Sequence, residues 1–323
     1  MALYGTLFVL LILFVLNMGG SNFGASFAAA YGGKILTKKK AQFLFIIFVI
    51  LGAAFVGRHV SETLGNRIIP HHLITPGTLV IILFSATLSL FISNLLKVPQ
   101  STSFVAVASI LGVGLYHGGV YTEIFRRFIP FWVILPVAGY VATYLLGKIV
   151  YPPRRSNFWI YEKLINQKDR LKVFVIIASC YNAFSVGTNN VANAVGPLAG
   201  AGILNITWGL IILGPVFGLG SLLFHGTLDT TSEKIVPLGP FSATIICIVT
   251  GTLVIIASIF GVPQSFVMIK VAAIFAISSL KKGSRTTFSD PLTRRTYMTW
   301  AITPMVALAI SYSLTWVRYA VFK

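Results

Sequence analysis

The chain has 323 residues, of which 56% are hydrophobic and only 10% are charged. Apolar runs recur along its full length, which is typical of a polytopic membrane protein and excludes a soluble domain with one anchor. The formal net charge is +18, but cytoplasmic loops of membrane proteins are basic by default and no recognition motif is present, so we expect no nucleic-acid partner.

About ten apolar segments approach the ~20 residues that a membrane-spanning helix needs. They lie at 3–30, 41–56, 78–96, 102–115, 128–149, 171–198, 206–224, 241–260, 265–280 and 297–317. Polar residues interrupt the first and the sixth of them. We therefore predict an all-α polytopic protein, located in the cell membrane with the lipid bilayer as its surroundings.

Lys and Arg residues cluster at 34–40, 148–172 and 281–295. With ten spans and an outside N-terminus, all three clusters fall on the cytoplasmic side. The longest connection, 151–172, contains a mildly amphipathic piece at 158–165, which we interpret as a surface helix.

The sequence repeats itself at an offset of about half the chain length. Four short matches share nearly this offset: 19–22 with 187–190, 66–70 with 233–237, 98–101 with 262–265, and Trp132/Pro136 with Trp300/Pro304. We predict a first repeat at 1–150, a basic connection at 151–172 and a second repeat at 173–323. Each repeat holds an odd number of spans, about five, so the two are inverted. Inverted repeats with broken or re-entrant helices at their interface are typical of secondary transporters.

The stretch 185–200 places several amides inside an apolar segment, among small residues and before Pro197. Buried amides are costly in a membrane unless they are hydrogen-bonded, and small residues and Pro allow a helix to open. We interpret the stretch as a polar substrate site at membrane depth. The alternative is helix packing, with the amides joining neighbouring helices.

Two Pro-Gln-Ser breaks, at 99–101 and 263–265, each precede an apolar run. Pro before Ser predicts a helix start, and a helix N-terminus offers free N–H groups and a partial positive charge that suit an anion. Ordinary capping is the alternative for either break alone.

The charged residues favour an anion path without acid-based coupling. The seven Asp and Glu residues all fall at segment ends or in loops, so neither a carboxylate proton relay nor a Mg²⁺-dependent enzyme is indicated. The His residues have no metal-binding spacing, and we predict no cofactor and no metal. Lys270 lies within the ninth segment and is either a cation on the pathway or a side chain that snorkels to the interface.

The amide-bearing stretch and the two Pro-Gln-Ser breaks resemble sequence motifs of the inorganic phosphate transporter (PiT) family. The stretch GTNNVANAVGPLAG at 187–200 is similar to that family's duplicated signature GANDVANA, and 98–103 and 261–265 resemble the two copies of its Pro-Val-Ser-Thr-Thr-His element. The resemblance covers essentially the whole chain. It implies alternating-access uptake of an inorganic oxyanion. It also implies a substrate site formed by Ser21, Asn22, Ser101, Thr102, Ser103, Asn189, Asn190, Asn193 and Ser265.

The chain departs from the family pattern at its acids. Asn22 and Asn190 stand where the signature has Asp, Ala25 stands for the second Asn of the first copy, Phe104 replaces a His, and a Glu of the second span is missing around 49–50. The family's carboxylates are expected to hold Na⁺ or take part in H⁺ coupling, and to accept from protonated phosphate. No coupling ion is therefore evident, and the pattern is similar to the family's sulfate-permease branch.

We predict a permease for a tetrahedral oxyanion, with sulfate favoured because it has no proton to donate to a carboxylate. The alternatives are a phosphate transporter with Na⁺ or H⁺ symport, a passive anion channel, and a sensor that binds the anion without moving it. We do not expect an enzyme. A homodimer is left open.

Overall fold

The computed structural model describes residues 2–27, 30–31, 34–95, 100–223 and 238–321. Every regular element within these ranges is helical, as the sequence predicts. Some motif residues used above lie outside them, namely those at 98–99 and 233–237.

The described residues of the first half form six α-helices, and each apolar segment predicted there corresponds to one of them. They are α1 (Ala2–Phe27), α2 (Lys38–Val56), α3 (Arg58–Asn66), α4 (Pro76–Leu95), α5 (Thr102–Tyr116) and α6 (Glu123–Val150). The predicted surface helix in the connection is confirmed as α7 (Phe158–Asn166), which exposes Phe158 and Trp159.

The second half repeats this order. It contains α8 (Lys168–Asn190), α9 (Ala192–Gly200), α10 (Ile206–Leu223), α11 (Pro240–Ile259), α12 (Phe266–Lys282), α13 (Ser284–Ser289) and α14 (Pro291–Val321). By the sequence offset, α1 corresponds to α8–α9, α2 to α10, α4 to α11, α5 to α12 and α6 to α14. The last pair shares an interior proline, Pro136 and Pro304.

The expected count of ten full spans needs a correction. Eight helical stretches in the described part of the chain are long and apolar enough to cross a membrane. α5 and α12 hold 15 and 17 residues, fewer than the ~20 of a full crossing. Both begin at buried serine caps, Ser101 and Ser265, inside the protein. Hydrophobicity alone does not separate such internal helices from spans.

The predicted interruption of α1 at 17–25 is wrong, because α1 is one continuous helix from Ala2 to Phe27. Its polar side chains bond to its own backbone: the Ser21 hydroxyl and the Asn22 amide both donate to the Met18 carbonyl, at 2.9 and 2.7 Å. The interruption of the second copy is present but small. A single turn residue, Val191, separates α8 from α9.

The two halves interleave around one core. α1 packs on α10 while α2 packs on α8, and α5 packs on α14 while α6 packs on α12. Each of these contacts between helices of opposite halves has a counterpart with the halves exchanged, which is what a two-fold relation between them predicts.

Close backbone contacts follow the same relation. A side chain on Gly19 would collide with the carbonyl of Phe217, and one on Gly187 would collide with the carbonyl of Val49. Gly19 and Gly187 are 168 positions apart, as are Val49 and Phe217. A second pair of contacts behaves alike: Gly220 with Leu16, and Gly52 with Phe184. Glycine at these positions lets the helices approach to backbone distance.

The corresponding helices α1 and α8–α9 run antiparallel. Asn190 donates to Asn22 at 2.9 Å, and Asn193 lies 4.0 Å from the sulfur of Met18. A step back along α1 is therefore a step forward along α8–α9. Asn22 and Asn190 are also counterparts under the sequence offset. Antiparallel counterparts are what inverted repeats predict.

Candidate functional site

The two amide-bearing stretches of the sequence meet at the centre of the molecule. We call Asn22, Ser103, Asn189, Asn190 and Asn193 the amide cluster; each is at most 1% exposed. One of its links between the halves is the hydrogen bond from Asn190 Nδ2 to Asn22 Oδ1. The sequence predicts this meeting from the inverted repeat, and the structure brings these side chains together.

Ser103, in the first turn of α5, joins three of the amides. Its hydroxyl accepts from Asn193 Nδ2 at 3.2 Å and lies 3.4 Å from the side-chain oxygens of both Asn189 and Asn190. One hydroxyl proton can serve only one of these two oxygens at a time. The first half therefore contributes a hydroxyl to amides that belong to the second half.

Asn189 fixes the segment before α12. Its amide nitrogen donates to the Ser258 hydroxyl and to the Val262 carbonyl, at 2.9 and 3.0 Å. Its oxygen accepts from the backbone N–H of Gln264 at 3.0 Å. The start of α12 is thus tied directly to the amide cluster.

Two helix N-termini converge here. Ser101 caps α5 by accepting from the Phe104 N–H, and Ser265 caps α12 by accepting from the Met268 N–H, both at 3.2 Å. The predicted helix starts at the Pro-Gln-Ser breaks are therefore confirmed. Thr102, the first residue of α5, is buried beside them. Two first turns add partial positive charge and N–H donors around the cluster.

Several buried polar atoms near the cluster have no hydrogen-bond partner. They are Asn193 Oδ1, Ser26 Oγ and both amide atoms of Gln264. A buried polar atom without a partner costs about 1–3 kcal/mol, and in native proteins such atoms often mark ligand or water positions. An amide carries both N–H donors and an oxygen acceptor, so these side chains can bind either kind of ligand atom.

Sequence reasoning missed Gln264 and Ser258 as members of this environment. Gln264 is fully buried and follows Pro263 directly. A signal was available, because Gln264 and its counterpart Gln100 stand where the resembled family element has Val. Nothing in the sequence marks Ser258, whose role depends on the packing of α8 against α11.

Ser21, which the resemblance places at the site, does not hydrogen-bond to the amide cluster. It is half-buried, and its hydroxyl is bonded to the Met18 carbonyl one turn back on α1.

Lys270 is 4% exposed, which excludes the snorkelling interpretation. Its ammonium donates to the carbonyl of Ala25, in the last turn of α1, three residues beyond Asn22. The thiol of Cys247 lies 3.9 Å from it. The intramembrane cation therefore lies within the protein, about one helical turn from the amide cluster along α1.

No acidic side chain is buried among the residues that the structure describes. The acids in the described ranges are Glu62, Glu123, Glu162, Asp169 and Asp290. Three of them form ion pairs within their own helices at the surface. No group of three or more His, Cys, Asp or Glu residues suited to a metal ion occurs among the residues that the structure describes.

The arrangement is a closed set of neutral donors with positive helix ends and a nearby ammonium. Such a set can bind an anion and offers no carboxylate to repel it. The side chains are too buried for an anion to enter directly from the surface.

Comparison with known proteins gives consistent results. The model described as "Phosphate transporter family" matches residues 18–161 and 159–311. The sulfate permease CysP of Bacillus subtilis (strain 168) is 34% identical over 305 residues, covering 94% of this chain and 84% of that protein. A protein of Methanocaldococcus jannaschii named "Putative phosphate permease MJ0630" is 25% identical over 306 residues, covering 93% and 92%.

One solved structure also matches. A structure titled "The sodium-dependent phosphate transporter" aligns with a TM-score of 0.83 and 22% identity, covering 99% of this chain and 100% of that chain. At this identity the match supports the fold.

Proposed function

The chain belongs to the phosphate transporter family, and from this premise we propose that it transports sulfate in preference to phosphate by alternating access. Family and fold are those of transporters rather than enzymes, and the apolar helices make it a multi-pass membrane protein. The preference and the mechanism are our proposal.

The observation that carries the proposal is the acid-free amide cluster. Phosphate near neutral pH keeps a proton and donates it to an acceptor, for which a carboxylate is well suited, whereas sulfate only accepts. Asn22 and Asn190 occupy the positions of the family's Asp residues, and Asn190 Nδ2 lies 2.9 Å from Asn22 Oδ1. Two carboxylates there would repel a dianion, while two amides can each offer N–H donors. The name of the 34% identical relative, a sulfate permease, agrees with this preference.

Binding replaces contacts that the cluster now makes within itself. The bond from Asn190 to Asn22 and the bonds around Ser103 join the halves. A sulfate between them would accept from the same amide nitrogens and hydroxyl. Hydrogen bonds to a charged group contribute about 1.5–3 kcal/mol each, more than neutral ones. The anion thus offsets the opening of the cluster, and the halves close again around it on the other side.

Uptake by the purified protein in proteoliposomes tests this proposal. We expect ³⁵S-sulfate uptake that saturates, shows counterflow, and is inhibited by unlabelled sulfate far more than by phosphate. Saturation with counterflow separates a transporter from a channel, which passes current without exchange. Preferred transport of ³²P-phosphate, unaffected by excess sulfate, would overturn the proposal.

Phosphate transport is the second candidate, and one observation favours it. Asn193 Oδ1 is a buried acceptor without a partner, and it can accept a hydrogen bond from the O–H of hydrogen phosphate. The same uptake experiment separates the two candidates, because a phosphate transporter would show the opposite order of inhibition.

A further inference from the structure

Lys270 is the one charged side chain among the buried residues that the structure describes. It is the fifth residue of α12, whose capped start is tied to the amide cluster through Gln264 and Asn189. Burying an ammonium is costly unless its surroundings favour the charge. The groups that it faces therefore bear on its role.

The neighbours of the ammonium include three neutral groups that suit a cation. It donates to the Ala25 carbonyl, in the last turn of α1, where main-chain oxygens carry the negative end of the helix dipole. Cys247 lies 3.9 Å away and accepts from Asn182 at 3.5 Å, and the Phe266 ring centroid is 5.7 Å from the ammonium. Helix C-terminal carbonyls are ligands that secondary transporters use for coupling cations.

We propose that the Lys270 ammonium is a built-in counter-cation for the transported anion, taking the place that a co-transported Na⁺ would otherwise fill. The inference rests on the proposed anion transport and goes beyond it, because it specifies that transport proceeds without Na⁺. A fixed ammonium at the end of α1 disfavours a second cation there by like-charge repulsion. It also lowers the cost of bringing a dianion to amides about one helical turn away.

A departure of the first half from the family signature supports this assignment. Ala25 stands where the second half has Asn193, so α1 offers a main-chain carbonyl rather than an amide at this position. Lys270 uses that carbonyl. The position at which the first half lacks the amide is therefore the position that the buried lysine of the second half contacts.

The first arm of the test measures ³⁵S-sulfate uptake by the wild-type protein with Na⁺ replaced by K⁺ or choline. We expect rates that differ by less than about twofold, since no cation needs to bind with the anion. Uptake that occurs only with Na⁺ would overturn the inference and leave the proposed function standing. Absence of sulfate uptake with every cation would instead refute the proposed function.

The second arm compares Lys270→Gln and Lys270→Arg with Lys281→Gln, which removes an exposed charge from the same helix. Lys270→Gln should lower kcat/KM for sulfate by about tenfold or more, because the favourable coupling between the ammonium and the anion is lost. Lys270→Arg keeps the positive charge and should largely keep the wild-type kcat/KM. Lys281→Gln should match wild type. Thermal unfolding checks that each variant is folded. A folded Lys270→Gln protein with wild-type kcat/KM would overturn the inference, and the first arm decides the question if that variant does not fold.

Discussion

The two copies of the repeat differ most where they meet. The second copy carries three amides at the centre, Asn189, Asn190 and Asn193, whereas the first carries only Asn22 and has Ala25 at the position of the last. The start of α5 contributes Ser103, while its counterpart in α12 is the apolar Val267. Because the halves interleave, the hydroxyl of one copy hydrogen-bonds to the amides of the other.

This difference teaches that a site between two related copies does not need both copies to be complete. Asn22 contacts its counterpart Asn190, and Ser103 of the first copy contacts the amides of the second, so a group absent from one copy can be supplied by the other. Lys270 is likewise supplied by one copy alone, since its counterpart in α5 is Ala106. Its ammonium contacts α1 of the other copy.

The largest expected effect comes from restoring an acid. Asn190→Asp is nearly isosteric, but it places a charge beside Asn22 and Ser103 in a buried site. We expect sulfate uptake to fall about a hundredfold, because a buried like charge costs several kcal/mol. Phosphate should compete better in this variant than in wild type. The measurement is ³⁵S-sulfate uptake with phosphate as competitor.

The matched control is Asn205→Asp, at the exposed start of α10, where the Asn oxygen accepts from the Thr207 N–H at 2.9 Å. Asp caps a helix as well as Asn does, so uptake should be unchanged. Wild-type sulfate transport by Asn190→Asp would contradict the acid-free account of the site.

Alanine substitutions rank the two copies. Asn190→Ala and Asn193→Ala should lower sulfate uptake by about thirtyfold, because each removes bonds to Ser103 or to Asn22 and leaves partners unsatisfied. Asn22→Ala should lower it less, since this variant loses one bond to the cluster, whereas Asn190 contacts both Asn22 and Ser103. Each change removes a buried hydrogen bond worth about 1–3 kcal/mol once a partner is left alone. Initial rates on folded protein give the ranking, and a larger loss for Asn22→Ala would reverse it.

A smaller effect separates the two glutamines. Gln264→Val should lower uptake about fivefold without lowering thermal stability, because neither amide atom of Gln264 has a partner to lose. Gln100→Val removes a 3.0 Å bond to the Leu90 carbonyl and should lower the free energy of unfolding by about 1 kcal/mol, with less effect on transport. Thermal unfolding and uptake of both variants provide the comparison. Equal behaviour of the two would exclude a special role for Gln264.

Much of this architecture can be predicted from the sequence. The helix starts at Ser101 and Ser265 follow from local chemistry, since Pro and Ser at these positions specify a capped first turn. The meeting of Asn22 with Asn190 follows from the repeat, because inverted halves bring counterpart residues to the axis. Neither inference needs long-range packing to be known in advance.

Other features depend on contacts that no local pattern reports. The sequence favours an interruption of the first apolar segment, but α1 is continuous. Its Gly19 serves instead as the point where the helix packs closely against the Phe217 carbonyl. The contact of Lys270 with Ala25 joins positions that are not counterparts under the repeat offset. The length of α5 could not be predicted either, because hydrophobicity does not show that its first turn is already inside the protein.

The most direct test of the central claim is to locate the anion itself. Selenate has the shape and charge of sulfate, and its selenium gives an anomalous signal in crystals grown with it. We predict one selenium peak at the contact between the halves, placed so that the selenate oxygens lie within hydrogen-bond distance of the side chains of Asn22, Ser103 and Asn190. A bound selenate more than one helical turn from this contact, with Asn190 still bonded to Asn22, would contradict the account.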